Sequence, residues 1–85
     1  MVTPPTLDRV LALLREREAD LRHRGVVHAA VFGSVARGDQ QDMSDIELMV
    51  DLDRTNVPTL FEYIGIALDL EAALERPVDM GHRDS

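Results

Sequence analysis

Residues 33–48, GSVARGDQQDMSDIEL, constrain the fold of this chain more than any other stretch. They begin with a Gly-Ser pair after an apolar run and end in an alternating segment that carries Asp45 and Glu47. Because successive side chains of a strand point to opposite faces, these two acids share one face, roughly 6.5 Å apart along the strand. Neighbouring carboxylates repel each other unless a cation lies between them, and a Gly-Ser turn offers backbone N–H groups to phosphate oxygens. The stretch therefore predicts a metal–nucleotide site.

Length and composition restrict the kind of protein that can carry this stretch. The chain has 85 residues, which fits one domain over 1–85, and its 45% hydrophobic content is that of a globular protein rather than a disordered one. It has no cysteine, which excludes disulfides and thiolate zinc sites and is compatible with a cytoplasmic location. No apolar run is long enough to span a membrane. The net charge of −7 disfavours direct binding of nucleic acid or anionic lipid, and suits divalent cations or a basic protein partner.

The N-terminal part of the chain predicts a helix over residues 6–23 followed by a strand. Thr3 or Thr6 can cap the start of the helix, and Gly25 follows its end. The apolar face consists of residues at helical spacing: Leu7, Val10, Leu11, Leu14 and Leu21. The next run, VVHAAVF at 26–32, is nearly continuous in apolar residues and predicts a strand covered on both faces.

The rest of the chain predicts a helix between two further strands. Residues 45–52 alternate between apolar and polar side chains and form the second strand. Pro58 fits the first position of a helix over 58–74. Residues 78–80, Val-Asp-Met, predict a third short strand after that helix ends at an Arg-Pro pair.

This order predicts an α+β fold, an α/β sandwich in which helices pack on one face of a small mixed β-sheet. The opposite face, which carries Asp45, Glu47 and Asp79, is expected to be open to a ligand. A small domain with an exposed sheet edge gains stability from a partner, so an oligomer is compatible with this prediction. A candidate partner-binding patch lies on the second long helix and consists of Phe61, Tyr63 and Ile66.

The acidic positions and the Gly-Ser pair together resemble a known family. The pattern is Gly33-Ser34, ten residues, Asp45-Ile46-Glu47, and a distant acid between apolar residues in Val78-Asp79-Met80. It is similar to the nucleotidyltransferase superfamily related to DNA polymerase β. Within it, the sequences GSxxRG and SDIEL resemble the minimal nucleotidyltransferases (MNT), the antitoxin partners of HEPN-domain toxins. The resemblance implies the nucleotidyltransferase fold.

The resemblance also implies roles for individual residues. Asp45, Glu47 and Asp79 are the implied catalytic residues and the ligands of two Mg²⁺ ions, with Asp79 as general base or as ligand of the activating metal. The implied contacts to ATP come from four residues: Gly33, Ser34, Arg37 and Ser44. From the residues alone, Arg37 fits a solvated helix arginine or an ion-pair partner of Asp39 or Asp42 equally well. Ser44 fits a cap or brace of its loop.

The activity implied by the resemblance is transfer of AMP from ATP to a tyrosine hydroxyl of a HEPN RNase toxin, which would make the chain an antitoxin. The alternative is an antitoxin that neutralises the toxin by binding alone. Transfer to RNA or a small molecule is a third option, which the acidic charge and the absence of a substrate domain disfavour. Two departures bear on activity: Glu47 stands where Asp is common, and the chain stops soon after Asp79, so we expect a domain that is short at its C-terminus.

Overall fold

Seven elements make up the structure, a computed structural model that describes residues 6–38 and 45–83 of the chain. The helices and strands in chain order are α1 (Leu7–Glu16), α2 (Glu18–His23), β1 (Val26–Phe32), α3 (Ser34–Arg37), β2 (Ile46–Leu52), α4 (Leu60–Leu74) and β3 (Val78–His82). In the described ranges no helix is both long and apolar enough to cross a membrane.

The three strands form one mixed sheet with β2 in the middle. β1 pairs with β2 in antiparallel fashion, and β3 pairs with β2 in parallel fashion. Helices α1, α2 and α4 pack on the same face of this sheet and share one apolar core with it. The predicted α+β fold with helices on one face of a small mixed sheet is therefore confirmed.

The predicted helix over residues 6–23 is divided in two at Arg17. Thr6 caps its start, because its hydroxyl accepts a 3.2 Å hydrogen bond from the Arg9 N–H. Arg17 leaves the helical conformation, with φ −101° and ψ 9°. Helical hydrogen bonds nevertheless continue across Arg17. Its N–H donates to the Leu13 carbonyl, and its carbonyl accepts from the Leu21 N–H. The break is thus a local distortion of a helical path that runs on to His23.

The core lies between the sheet and the helices. Alternate residues of β2 point into it, namely Ile46, Leu48 and Val50. The helices contribute residues at helical spacing: Val10, Leu14, Leu21, Ile66, Leu70 and Leu74. Strand β1 also alternates in burial, and its last residue, Phe32, is 41% exposed. The prediction that β1 is covered on both faces is therefore wrong, because within the described ranges the helices cover only one face.

Helix α4 begins two residues later than predicted. Thr59 is its N-cap and forms a capping box with Glu62, in which each side chain accepts a hydrogen bond from the other residue's backbone N–H. Pro58 lies just before the cap instead of occupying the first helical position. The helix ends at Leu74, as predicted, and Glu75 follows in the left-handed conformation with φ 55°.

The predicted partner-binding patch on α4 does not form one surface. Phe61 is 86% exposed, whereas Ile66 belongs to the buried core and Tyr63 is half-buried. The exposed apolar residues of α4 lie instead along its outer side: Leu60, Phe61, Ile64 and Leu68. Because α4 is apolar on nearly all sides, its sequence does not reveal which side faces the core.

Strand β3 is longer than predicted and continues to His82. The following residue, Arg83, is held against β2, since its backbone N–H donates to the Val50 carbonyl at 3.1 Å. Its guanidinium donates two hydrogen bonds, of 3.0 and 2.9 Å, to the Asp51 carboxylate. These contacts fix the end of β3 farthest from Asp79.

We expect Thr59→Ala to lower the free energy of unfolding by about 1 kcal/mol, because the Glu62 N–H at the start of α4 loses its acceptor. Thr59→Ser retains a hydroxyl and should stay close to the wild type. Urea denaturation followed by circular dichroism measures both. Equal stability of the two variants would contradict the importance of this cap.

Candidate active site

Gly33 forms the turn between β1 and α3, which we call the glycine corner. The side chain of Glu47 lies directly against Gly33. The backbone of Gly33 has φ 78° and ψ −151°, a conformation open essentially to glycine alone. A β-carbon at this position would overlap the Glu47 carboxylate. The Gly-Ser pair and the acidic segment, separated by a loop in the sequence, are therefore in contact in the fold.

The sheet register brings the acidic positions to the same end of the open face. Glu47 pairs with Phe32 of β1 on one side and with Asp79 of β3 on the other. Paired residues of adjacent strands lie on the same face, about 4.8 Å apart in the hydrogen-bonding direction. Asp45 precedes β2 by one residue and is exposed. By strand alternation it shares the face of Glu47.

The surroundings of the three acids are polar and open. Asp45 and Asp79 are exposed and Glu47 is partly exposed, whereas the neighbouring Ile46 and Val78 are buried on the opposite face. The ion pairs of Arg22, Arg24 and Arg83 involve other acids. Three carboxylates of like charge therefore gather at this end of the sheet.

The three acids are not assembled into a finished metal site. No group of three or more His, Asp or Glu side chains in the described ranges is arranged to hold one ion. The chemistry of the donors nevertheless fits a hard divalent cation, since all three supply carboxylate oxygens. Assignment of Asp45, Glu47 and Asp79 as metal ligands therefore stays a prediction.

Two of the other predicted contacts to ATP lie in α3, directly after Gly33. Ser34 is the first residue of α3 and is half-buried, and Arg37 is exposed in the last position of that helix. Ser44 lies outside the described residues. The roles of all four predicted ATP-binding residues stay predictions.

Two residues of α4 to which the sequence assigned no role at this site contact β3 on either side of Asp79. The Tyr63 hydroxyl donates a 2.9 Å hydrogen bond to the Met80 carbonyl. The Glu71 carboxylate accepts one of the same length from the Val78 N–H. Burial, and to a smaller extent the negative charge of Asp79, raise the pKa of Tyr63, so its hydroxyl keeps the donated proton at neutral pH. No local sequence signal marks these contacts, because each depends on how α4 packs beside β3.

Comparison with known proteins agrees with this arrangement. The family described as "Polymerase beta, Nucleotidyltransferase" matches residues 18–83, which include the glycine corner and all three acids. This chain belongs to that nucleotidyltransferase family. The resemblance inferred from Gly33-Ser34 and the three acidic positions is thereby confirmed, and so is the expectation that the chain is an enzyme of the nucleotidyltransferase type.

Relatives of this nucleotidyltransferase align over most of its length. A Methanocaldococcus jannaschii protein, provisionally named a protein adenylyltransferase, is 38% identical over 76 residues, covering 88% of this chain and 76% of the relative. The protein adenylyltransferase MntA of Thermococcus cleftensis is 35% identical over 81 residues, covering 94% and 80%. A solved structure of a provisionally assigned minimal nucleotidyltransferase superposes with a TM-score of 0.74 at 31% identity, covering 92% of this chain and 78% of the other.

Gly33→Ala is expected to destabilise the nucleotidyltransferase by about 2–4 kcal/mol, since the backbone conformation is strained for alanine and the new methyl group displaces Glu47. Gly38→Ala is the comparison: Gly38 also has φ 78°, but a β-carbon there would meet no atom of the described residues within 4 Å. Denaturation midpoints of the two variants measure the difference.

The contribution of the Glu47 contact can be separated from the backbone strain by a double-mutant cycle. In a Glu47→Ala background, Gly33→Ala should cost at least about 1 kcal/mol less than in the wild type, because the displaced carboxylate is gone. An unchanged cost would show that Glu47 does not lie against Gly33.

Proposed function

We propose that this chain is a Mg²⁺-dependent protein adenylyltransferase that transfers AMP from ATP to a tyrosine hydroxyl of a cognate HEPN RNase toxin, and so acts as an antitoxin. The observation that supports this most strongly is the position of Glu47. Its carboxylate lies against the glycine corner and beside Asp79 in the sheet register. Groups suited to phosphate and groups suited to a divalent cation therefore occupy one end of one open face.

In this proposal the glycine corner binds the triphosphate. Because Gly33 has no side chain, phosphate oxygens can approach its backbone, and the Ser34 hydroxyl and N–H are available to donate hydrogen bonds. Arg37 and Ser44 contribute further contacts to ATP. The triphosphate then extends along the sheet toward the acids of β2.

The acids would hold the cations whose positive charge the triphosphate requires. Asp45, Glu47 and Asp79 would hold divalent cations, and such ions when bound neutralise the negative charge that develops on the phosphates. The side chains would need only to rotate toward a bound ion, since all three are at least partly exposed. Relief of their mutual repulsion favours this rotation.

The transfer itself is an in-line displacement at the α-phosphorus of ATP. The tyrosine oxygen forms a bond to that phosphorus as the bond to the bridging oxygen of the β-phosphate breaks, and pyrophosphate leaves. Asp79 accepts the tyrosine proton. Positioning of the two reactants supplies much of the rate, because the reaction becomes effectively unimolecular within the bound complex.

The protein acceptor is supported by the relatives and by charge. Two similar proteins carry the name protein adenylyltransferase, one of them provisionally. The net charge of −7 suits a basic protein surface such as that of an RNA-binding toxin, and it opposes direct use of nucleic acid as acceptor.

A second candidate function is neutralisation of the toxin by binding alone. It is favoured by one observation, that the described acids do not form a set of three ligands around a single site. Glu47 is also one methylene longer than aspartate, so the ion position would differ from that in relatives with aspartate.

Asp45→Asn is expected to reduce AMP transfer at least 100-fold, because an anionic oxygen that holds the cation is lost. The assay incubates the protein with labelled ATP, Mg²⁺ and the HEPN protein encoded beside it, and follows label in the HEPN protein. Asp8→Asn changes an exposed acid on α1, outside the proposed site, and serves as the control.

Undiminished labelling by Asp45→Asn would contradict the catalytic assignment. If Asp45→Asn no longer transfers AMP but still protects cells from the toxin, neutralisation by binding is the correct function.

A further inference from the structure

Strand β3 is an edge strand, and its backbone groups face two different surroundings. The Pro77 carbonyl accepts from the Ile46 N–H, and the Arg83 N–H donates to the Val50 carbonyl, so these odd-numbered positions face β2. Because these directions alternate along a strand, the backbone N–H and C=O of Asp79 also point toward β2. Those of Val78 and Met80 point toward the free edge. An uncovered edge leaves such groups without protein partners.

Helix α4 supplies partners for the free edge at the two positions that flank Asp79. Glu71 accepts from the Val78 N–H, and Tyr63 donates to the Met80 carbonyl, both at 2.9 Å and both partly buried. Tyr63 is further packed edge-on against His82, with ring centroids 5.6 Å apart. The residue between the two contacts is the acid that the proposed mechanism uses as its base.

We propose that Tyr63 and Glu71 are positioning residues that fix the backbone of Asp79, and with it the carboxylate, relative to Glu47. The inference rests on the proposed function for the role of Asp79. The two hydrogen bonds oppose sliding or twisting of β3 against β2 near Asp79, where the strands are joined by a short parallel ladder and the Arg83–Asp51 ion pair lies at the far end. A carboxylate displaced by about 1 Å can lower a reaction rate by two orders of magnitude.

Both positions are anchored in the core by their own helix. Ile66, Leu70 and Leu74 of α4 are buried, so the helix cannot move independently of the sheet. Tyr63 and Glu71 are two turns apart on the side of α4 that faces β3. The rigid helix therefore holds both ends of the Val78–Met80 segment at a fixed spacing.

The test uses variants that remove one hydrogen bond each. Tyr63→Phe removes the hydroxyl and keeps the ring. Glu71→Ala removes the acceptor, whereas Glu71→Gln retains an amide oxygen that can replace it. Leu68→Ala and Glu75→Ala are matched controls, because both change exposed residues of the same helix region without contacting β3 in the described structure.

Amide hydrogen exchange is the first measurement and does not depend on activity. Tyr63→Phe and Glu71→Ala should each accelerate exchange at Asp79 and Gly81 at least tenfold, while exchange at Glu47 and Met49, whose N–H groups face β1, stays within twofold. Unchanged exchange at Asp79 in both variants would overturn the proposal. A uniform acceleration over all three strands would overturn it as well, because it indicates general destabilisation.

The second measurement compares catalysis and Mn²⁺ affinity. Tyr63→Phe and Glu71→Ala should lower kcat about tenfold and weaken Mn²⁺ binding by a similar factor, with KM for ATP within twofold, and Glu71→Gln should restore most of both. Wild-type values in both variants, together with an inactive Asp79→Asn, would overturn the positioning role and leave the proposed function intact. Full activity of Asp79→Asn would instead refute the role of Asp79 itself.

Discussion

The Glu47 carboxylate occupies the space where any residue other than glycine at position 33 would place its β-carbon. This contact joins the corner after β1 to the second residue of β2. It requires a backbone conformation that glycine alone adopts readily. Glycine is less ordered than other residues in the unfolded chain, so the corner carries an entropic cost. In return, a backbone free of side chains and a carboxylate lie side by side, which is the combination that a metal-bound phosphate requires.

The topology of the sheet explains why one end of it collects these groups. An antiparallel pair places the end of β1 beside the start of β2, and a parallel pair places the start of β3 there as well. The glycine corner, Asp45 with Glu47, and Asp79 thus meet although the chain between the last two includes all of α4. Because the helices and their apolar side chains cover the opposite face, the site can be polar without disturbing the core. The nucleotidyltransferase family identity is consistent with this division of the sheet into a packed face and an open, polar face.

Much of this arrangement could be predicted from the sequence, because the relevant signals are local. The alternation over residues 45–52 defined which side chains of β2 face the core, and Thr6 and Gly25 marked the two ends of the first helical segment. The break at Arg17 was not predictable, because no proline or glycine marks its position. The buried side of α4 was not predictable either, since apolar residues surround that helix and only packing selects Ile66, Leu70 and Leu74. The bonds from Tyr63 and Glu71 to β3 are likewise tertiary and leave no periodic pattern.

Paramagnetic broadening by Mn²⁺ can show whether the glycine corner and the three acids form one site for a divalent cation, as we propose. In an amide NMR spectrum, substoichiometric Mn²⁺ should erase the signals of Gly33, Glu47 and Asp79 together. The signals of Asp20 and Glu75, which are acidic and exposed but lie outside the site, should persist at the same Mn²⁺ concentration. Broadening that spares Asp79, or that affects exposed acids throughout the chain to an equal extent, would contradict a single cation site formed by these groups.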